Sequence, residues 1–376
     1  MFIRTMNMPN TRLLSAIFLL LCSQLNFAQT GQVLFPGLSG AVLLDSVVAH
    51  YKTDTTLSYG MARDTLYAKV LAIDDDTLRC IYSEHALYLD PTQDPTQYVY
   101  LSGTANGMNA EHAYPQSKGA SVGIARSDMH HLFPTRIAVN ETRGSFPFAD
   151  IPDNQTEKWF FKTTTLTSVP TSQKDRYSEF KTGFFEPREA SKGDIARSVF
   201  YFYTMYRTQA DSMDPVFFQQ QRATLCQWHQ QDPADEAEVI KTWRIAPYQD
   251  NKPNPFVLDC SLVHRCYCPE LPTDCLSSSS EISPATRPFQ VFPQPFKDQI
   301  TIRAQLPFLG KLTGTLATVD GKTLRQWESA LSDTNVEHHL ESLHHLPPGA
   351  YSLSLRLSAP GEQTLEQSIL LLKMPE

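Results

Sequence analysis

Hydrophobic positions in the first quarter of the chain switch between helical and strand spacing. From Ser39 to Tyr51, apolar residues recur three and four positions apart behind a Gly-Leu-Ser-Gly start, which predicts a helix. Residues 59–67 predict a second, shorter helix. The apolar runs 77–82 and 86–89 have strand composition, and the first follows an Asp-Asp-Asp turn. Residues 98–101 are expected to lead into the next strand.

The central stretch predicts two short strands followed by a helix. Residues 107–115 are expected to end the first strand, and residues 130–133 to form the second, which Pro134 ends. Pro134-Thr135-Arg136 then opens a helix. This order is a compact layout for a site shared by two strands and one helix.

Four residues of this stretch carry candidate chemistry. Glu111 and His112 are adjacent and therefore point to opposite sides of the first strand. Asn140 and Arg143 lie three apart, on one face of the predicted helix. Hydrolysis of a phosphodiester needs a base, a cation and oxygen ligands for a metal ion, and these residues supply all three. Mg²⁺ keeps most of its waters and needs only one or two protein oxygens.

Past this stretch the pattern is mainly helical and then changes abruptly. Residues 198–206 form an apolar helical run, and residues 225–245 predict a helix that is broken near its start at 228–233. Residues 277–288 form a Ser-rich linker. Period-two alternation then predicts strands joined by turns, and hence a small β-sandwich, with strands expected at 299–303, 312–319, 350–357 and 368–373.

Length and composition set the outer limits. With 376 residues, 41% hydrophobic, the chain is globular and exceeds one typical domain. Its net charge of -8 excludes a broadly basic protein that coats nucleic acid, although a metal ion and local cations suffice to hold one phosphate. Residues 1–28 are expected to be a secretory signal peptide, with Cys22 as a weaker lipid-anchor alternative. No second apolar stretch predicts a transmembrane helix, and we expect a monomer.

Removing the signal peptide leaves an even number of cysteines, which in an exported protein predicts disulfide bonds. Structural zinc held by the later cysteines together with His264 is the alternative. The sequence does not fix the pairing. The candidates are Cys80, Cys226, Cys260, Cys266, Cys268 and Cys275.

Three ordered motifs resemble the endonuclease I family of secreted bacterial nucleases, which have a ββα-metal core. They are Glu111-His-Ala-Tyr-Pro115, Asp128-Met-His-His-Leu-Phe-Pro134 and Val139-Asn-Glu-Thr-Arg143. The resemblance implies His112 as general base, and Glu111 and Asn140 as ligands of one ion, either Mg²⁺, Mn²⁺ or Ca²⁺. Arg143 would hold a substrate oxygen.

The family places a phosphate-binding arginine in a long insertion that this chain lacks, and Arg126 or Lys118 is the candidate replacement. Asp128, His130 and His131 are expected to support the site. Glu186 belongs to a second matching stretch, residues 183–206, and is expected to orient catalytic groups, to contact phosphate or to form a structural ion pair. The resemblance covers roughly residues 34–260.

The final segment carries two further phrases, Val291-Phe-Pro-Gln-Pro-Phe296 and Leu346-Pro-Pro-Gly-Ala-Tyr351. They resemble the C-terminal sorting domain of the type IX secretion system. This resemblance implies export by that machinery to the outer-membrane surface or beyond. The alternative is a sandwich that binds carbohydrate or protein.

The expected fold is α+β: a ββα-metal nuclease core with surrounding helices in residues 29–276, followed by a β-sandwich in residues 289–376. The expected function is a secreted, divalent-metal-dependent, non-specific endonuclease that acts on DNA, with RNA as a second substrate, and leaves 5′ phosphates. A catalytically inactive binding protein on the same scaffold is the alternative, and a zinc hydrolase is a weaker third candidate.

Overall fold

The computed structural model describes residues 33–271, 289–292, 296–306, 308–318, 322–347, 349–358 and 364–373. The expected signal peptide, the linker at 277–288 and Cys275 lie outside these ranges. Helices make up 39% and strands 25% of the structure, so the expected α+β class is confirmed.

Helices dominate the first region. A π-helix, Leu66–Leu71, continues the second helix. The α-helices are α1 (Gly40–Tyr51), α2 (Tyr59–Thr65), α3 (Pro95–Tyr100), α4 (Gly123–Ser127), α5 (Ile137–Arg143), α6 (Lys192–Met205), α7 (Arg207–Met213), α8 (Gln219–Gln231), α9 (Glu236–Ile245), α10 (Pro255–Leu258) and α11 (Ser261–Tyr267). Short 3₁₀ helices span Leu101–Gly103, Gln116–Lys118, Met129–His131, Asp153–Gln155, Lys174–Arg176, Glu189–Ser191 and Ala246–Tyr248.

The strands of this region are short and antiparallel. They are β1 (Thr77–Arg79), β2 (Ala86–Tyr88), β3 (Met108–His112), β4 (Leu132–Arg136), β5 (Lys158–Phe161), β6 (Thr164–Leu166), β7 (Ser178–Lys181) and β8 (Phe184–Glu186). β1 pairs with β2, β3 pairs with β4, and the other four form a sheet in the order β6-β5-β7-β8. The β3–β4 pair runs directly into α5 and gives the ββα unit that the sequence predicts.

A buried helix organises the surrounding core. Almost every residue of α6 is buried, and its aromatic side chains stack against neighbouring elements. Tyr203 lies 3.8 Å from Phe218 between ring centroids, and Phe202 lies 4.4 Å from Tyr114. Such burial on all sides explains why residues 198–206 show a continuous apolar run instead of an amphipathic stripe.

Three boundaries differ from the sequence predictions. Residues 98–101 lie in and after α3 instead of leading into a strand, because Asp94 caps this helix and Pro95 occupies its first turn. His130 and His131 belong to a 3₁₀ turn, and β4 runs through Pro134 instead of ending there. Pro134 fits because its carbonyl accepts a hydrogen bond from Ile81 while its missing N–H costs nothing at that position.

The expected helix over 225–245 is two helices: α8 begins earlier than predicted, at Gln219, and α9 ends at Ile245 as predicted. Asp232 ends α8 and the side chain of Asp235 caps α9 by accepting from the backbone N–H of Glu238. The Gln-Asp-Pro sequence at 231–233 therefore separates two elements instead of interrupting one.

The last region forms two antiparallel sheets, β13-β10-β9 and β12-β11-β14-β15, that share one apolar cluster. This arrangement is the expected all-β sandwich. The sequence analysis missed β9, β12 and β13 here, and β5 to β8 in the first region. The strands are β9 (Phe289–Phe292), β10 (Ile300–Gln305), β11 (Lys311–Thr318), β12 (Thr323–Ala330), β13 (Asn335–Leu340), β14 (Gly349–Ser358) and β15 (Thr364–Lys373).

One disulfide bond, Cys226–Cys268, links α8 to the end of α11. Cys260 is also disulfide-bonded. Cys80 and Cys266 are free, which corrects their assignment as disulfide candidates; the Cys80 sulfur instead accepts hydrogen bonds from Ser83 and from the backbone of Arg136. Within the described ranges, no helix is long and apolar enough to cross a membrane.

Candidate active site

A pocket of about 410 Å³ lies at the end of the ββα unit. The antiparallel register sets Glu111 opposite Phe133 and His112 opposite Leu132, and α5 begins directly after β4. Both Glu111 and His112 border the pocket although they are adjacent in the strand. The pocket is lined by Asn109, Ala110, Glu111, His112, Pro115, Gln116, Ser117, Asn140, Glu141, Arg143, Gly144 and Ser145.

Glu111 is only 3% exposed, and two neighbours fix its carboxylate. The hydroxyl of Tyr82 donates to Oε1 at 2.8 Å, and Nε of Arg143 lies 3.2 Å from the same oxygen. Burial raises the pKa of Glu111, while Arg143 and Tyr82 oppose this shift by stabilising the charged form. Both side chains hold Oε1, and the backbone N–H of His112 also donates a hydrogen bond to the carboxylate.

Asn140 is oriented by a second asparagine. Its Nδ2 donates to Oδ1 of Asn109 at 2.8 Å, which identifies the opposite atom of the amide, Oδ1, as the one free to act as a ligand. Sequence reasoning missed Asn109 and Tyr82. Asn109 carried a usable signal, because it lies two positions before Glu111 and so on the same face of β3. Tyr82 carried none, since its contact depends on tertiary packing.

The ring of His112 is held in one tautomer. Its Nε2 lies 3.0 Å from the carbonyl oxygen of Arg126, and because a carbonyl only accepts, Nε2 carries the hydrogen. Nδ1 therefore presents a lone pair, with the amide of Gln116 at 3.5 Å. Burial, with a smaller effect of His131, lowers the pKa of His112 to about 3, so the ring is neutral near pH 7.

The doubled histidine lies behind His112 and is buried. His131 donates from Nε2 to the carbonyl of Ala125 at 2.7 Å, and its ring centroid lies 5.3 Å from that of His112. His130 donates to the carbonyl of Lys252 at 2.9 Å. Neither lines the pocket, and their role in supporting the site stays a prediction.

Asp128 and Glu186 also lie outside the pocket lining. Asp128 is completely buried and accepts hydrogen bonds from Tyr201, Tyr206 and Gln249, so it anchors the segment that carries the two histidines. Glu186 forms an ion pair with Lys192 at 2.8 Å. The supporting role of Asp128 stays a prediction, and the contact of Glu186 with Lys192 is an ion pair of the kind named among its expected roles.

Arg143 has different contacts from the expected contact with a substrate oxygen. Its side chain is 1% exposed and lies against Glu111. The guanidinium donates to the carbonyls of Ala113 and Gly144, at 2.8 and 3.1 Å, and covers the ring of Phe148. The guanidinium of Arg143 is thus bonded to partners inside the protein, and it holds the carboxylate of Glu111 in place.

The two candidates for the missing phosphate-binding arginine have different surroundings. Lys118 forms an ion pair with Asp214 at 2.7 Å. Arg126 is exposed, and its guanidinium carbon lies 4.4 Å from the ring centroid of Tyr59. The backbone of Arg126 already contacts His112, so its cationic side chain extends from the immediate surroundings of the base.

The donor set fits a hard divalent ion. The carboxylate of Glu111 and Oδ1 of Asn140 are the oxygens that would hold such an ion, and no donor in the described part of the chain hydrogen-bonds to that amide oxygen. Mg²⁺ takes one or two protein oxygens and keeps its waters. No cluster of three or more His, Cys, Asp or Glu side chains that could hold a metal exists among the described residues, so the alternative of a zinc site finds no support there.

An imidazole lone pair, a buried carboxylate and an oriented amide around one open pocket define a nuclease of the ββα type. The chain matches the Endonuclease I family over residues 42–260, and it belongs to that family. It is therefore a nuclease, a hydrolase of phosphodiester bonds. Nucleases of this family generally depend on a divalent metal.

Two relatives extend this match. The chain is 27% identical over 254 residues to an extracellular ribonuclease of Bacillus amyloliquefaciens, covering 60% of this chain and 81% of the relative. It is 29% identical over 169 residues to an extracellular ribonuclease of Bacillus subtilis strain 168, covering 41% and 52%. Among solved structures, CopC from Methylosinus trichosporium OB3b aligns with 23% of this chain and 95% of the CopC chain at 13% identity. The TM-score of 0.19 is too low to indicate a shared fold.

Proposed function

We propose that this chain is a secreted, sequence-tolerant endonuclease that uses one divalent ion to cleave DNA and RNA, leaving 5′ phosphates. One observation carries the proposal: the lone pair of His112 Nδ1 and the oxygens of Glu111 and Asn140 border the same pocket. The pocket is open, and none of its lining residues is Phe, Tyr or Trp, so no such ring is positioned there to stack on and select one base. The ribonuclease names of the two relatives support RNA as a substrate beside DNA.

In the proposed reaction, Nδ1 of His112 takes a proton from a water molecule, and the water oxygen attacks phosphorus opposite the 3′ oxygen. The bond between phosphorus and the 3′ oxygen breaks, the 3′ oxygen leaves with the electron pair and takes a proton from solvent water, and the phosphate stays on the 5′ oxygen of the next nucleotide. A bound Mg²⁺-type ion would supply positive charge for the phosphorane and the leaving oxygen. Glu111 and Asn140 would hold that ion.

Arg143 and Arg126 have different roles in this proposal. Arg143 positions Glu111 from within the core, as its ion pair at 3.2 Å supports. Arg126 holds a non-bridging oxygen of the cleaved phosphate, because it is the exposed cation whose own backbone fixes His112. Guanidinium groups suit this task because they bind phosphate oxygens in pairs.

We also propose that the chain is secreted, with residues 1–28 as the signal peptide and residues 289–376 as a type IX sorting domain. The extracellular relatives support export of the nuclease. The two-sheet architecture of the last region suits a separate sorting module. A fusion of residues 289–376 to a reporter, followed in culture medium and in cells, tests the sorting role.

Cleavage assays on the full chain test the catalytic proposal. Supercoiled plasmid and a structured RNA are incubated with Mg²⁺, Mn²⁺ or Ca²⁺, or with EDTA. We expect nicking and degradation with a divalent ion and none with EDTA. His112→Ala should lower the rate by at least about a hundredfold, the typical contribution of a general base.

His229→Ala is the matched control, because His229 is also buried and also contacts a backbone carbonyl from Nε2, at 2.9 Å from Cys260. Thermal melts establish that both variants are folded. No cleavage by folded wild type with any of the three ions would overturn the proposal and favour a binding protein on the nuclease scaffold. Equal loss in both variants would remove His112 as the base.

A further inference from the structure

Two arginines share one aromatic ring beside the candidate base. Tyr59 and Arg63 lie four apart in α2, so they occupy one face of that helix. The guanidinium carbon of Arg63 lies 4.6 Å from the ring centroid of Tyr59, and that of Arg126 lies 4.4 Å from the same centroid. We call Arg63 and Arg126 the arginine pair.

Neither member of the arginine pair has a counter-ion in the described part of the chain. No carboxylate there forms an ion pair with Arg63 or Arg126, and Nε of Arg63 is buried without a hydrogen-bond partner. Other arginines of this region are paired, for example Arg197 with Glu238 and Arg244 with Asp74. Two like charges on one ring, neither of them in an ion pair within the described ranges, create a local positive field on a chain whose net charge is negative.

This field lies next to the catalytic ring. The ring centroids of Tyr59 and His112 are 5.5 Å apart, and the carbonyl of Arg126 holds Nε2 of His112. The charge of Glu111 also reaches Tyr59 and raises its pKa, while burial is the largest cause and both arginines oppose the shift. The arginine pair is therefore separated from His112 by a single aromatic ring, although neither arginine lines the pocket itself.

We propose that Arg63 is a further phosphate-binding residue, which together with Arg126 on the ring of Tyr59 holds the substrate backbone beside the cleaved bond. The ligand class is the phosphodiester backbone of single-stranded DNA or RNA. This inference rests on the proposed nuclease function and adds a binding subsite to it. Tyr59 holds both guanidinium groups in place through its π face.

Binding measured without cleavage tests the inference. A short fluorescein-labelled single-stranded oligodeoxynucleotide is titrated with the full chain in EDTA, over a series of NaCl concentrations. Arg63→Gln should weaken binding about tenfold at low salt, the usual effect of losing a charged hydrogen bond. It should also reduce the slope of log K against log salt by about 0.7, because one phosphate contact of a single strand is lost.

Arg303→Gln is the matched control. Arg303 also covers an aromatic ring, at 4.6 Å from the centroid of Phe292, and its substitution by Gln removes the same charge. It should leave affinity and slope unchanged. Arg63→Met keeps the aliphatic stem against Tyr59 and provides a second variant if Arg63→Gln melts early. In the cleavage assay, both Arg63 variants should raise KM with kcat largely retained.

The outcomes separate this inference from the nuclease proposal. Unchanged salt slope and KM in both folded Arg63 variants, with normal cleavage by wild type, would overturn the role of Arg63 and leave the nuclease intact. Loss of affinity and slope in those variants, with no cleavage by wild type, would support the phosphate subsite while the catalytic proposal fails. An equal loss of affinity and slope in Arg303→Gln would show that the effect comes from net charge alone. That result would also overturn the inference.

Discussion

The hydroxyl of Tyr82 donates a hydrogen bond of 2.8 Å to Oε1 of Glu111, and both side chains are buried. The same oxygen lies 3.2 Å from Nε of Arg143. One oxygen of the carboxylate is thus held by two side chains, and the backbone N–H of His112 also donates a hydrogen bond to the carboxylate. A carboxylate that hydrogen bonds already hold in one orientation loses little rotational freedom when it binds a metal ion.

Tyr82→Phe should weaken metal binding with little effect on the chemistry itself. The variant keeps the ring that packs 4.7 Å from Phe185 and removes only the donor to Glu111. Loss of an outer partner of a metal ligand typically costs about tenfold or more in affinity. We therefore expect the Mg²⁺ concentration for half-maximal cleavage to rise about tenfold, with kcat largely restored at saturating Mg²⁺.

Tyr88→Phe, at a tyrosine that is 59% exposed, provides the control for the same atomic change. An unaltered Mg²⁺ titration in Tyr82→Phe would show that the hydroxyl does not organise the ligand.

Arg143→Met should destabilise the fold strongly. It would leave the buried carboxylate of Glu111 without its cation, and breaking one side of a buried pair typically costs about 3–5 kcal/mol. Urea unfolding measures this cost as a change in the free energy of unfolding. Glu111→Gln added to Arg143→Met should recover part of the loss, because the uncompensated charge is then gone. Strict additivity of the two substitutions would contradict a direct coupling of Arg143 to Glu111.

The sequence predicts the ββα unit because its motifs are local. Glu111, His112 and Asn140 lie within thirty positions, and two strands followed by a helix bring them to one pocket. The residues that orient them are less visible. Tyr82 reaches Glu111 from a separate turn after β1, and periodicity along a chain carries no information about such a contact.

The missed strands have a similar explanation. The side chains of β12 are mostly exposed, so the apolar alternation that identifies a half-buried strand is absent. Arg143 shows a second limit of prediction from sequence. Its spacing from Asn140 correctly predicts a shared helical face, but burial at 1% exposure turns the expected substrate contact into an internal ion pair. Burial of a charged residue is decided by the whole fold.

Glu179 should make stability fall as pH rises. Burial, with repulsion from Glu186 and Asp153, raises the pKa of Glu179 to about 7, although Thr156 donates a hydrogen bond to it. A folded-state pKa above the unfolded value means that the contribution is fully present below about pH 4.5 and is lost as pH rises through 7. Glu179→Gln should therefore be more stable than wild type at pH 8, by about 1–2 kcal/mol after allowance for solvent screening.

Thermal melts at pH 5 and pH 8 provide the measurement, with Glu341→Gln as an exposed carboxylate of equal charge change. We expect the difference in Tm between Glu179→Gln and wild type to grow from pH 5 to pH 8. A difference that stays constant across this range would mean that Glu179 does not titrate there.

The Cys226–Cys268 bond should contribute substantially to stability. It closes a loop with a sequence separation of 42, and the loop-entropy relation gives about 4 kcal/mol for such a bond. The double variant Cys226→Ala/Cys268→Ala should lose about that much free energy of unfolding in urea. Cys266→Ala removes a free thiol and should have a much smaller effect. Equal losses in both variants would assign the cost to lost packing instead of the cross-link.

Asn109 should control the amide of Asn140, and through it the metal. Asn109→Ala removes the acceptor at 2.8 Å, so the Asn140 amide gains freedom to rotate and its Oδ1 no longer faces the pocket in a fixed direction. We expect the Mg²⁺ requirement to rise about tenfold. Asn109→Asp keeps an oxygen acceptor for Nδ2 and should restore most of the affinity, whereas Asn335→Ala, at an exposed strand position, should change nothing. The comparison of the two Asn109 variants is decisive, because a role in packing alone would leave Asn109→Asp as impaired as Asn109→Ala.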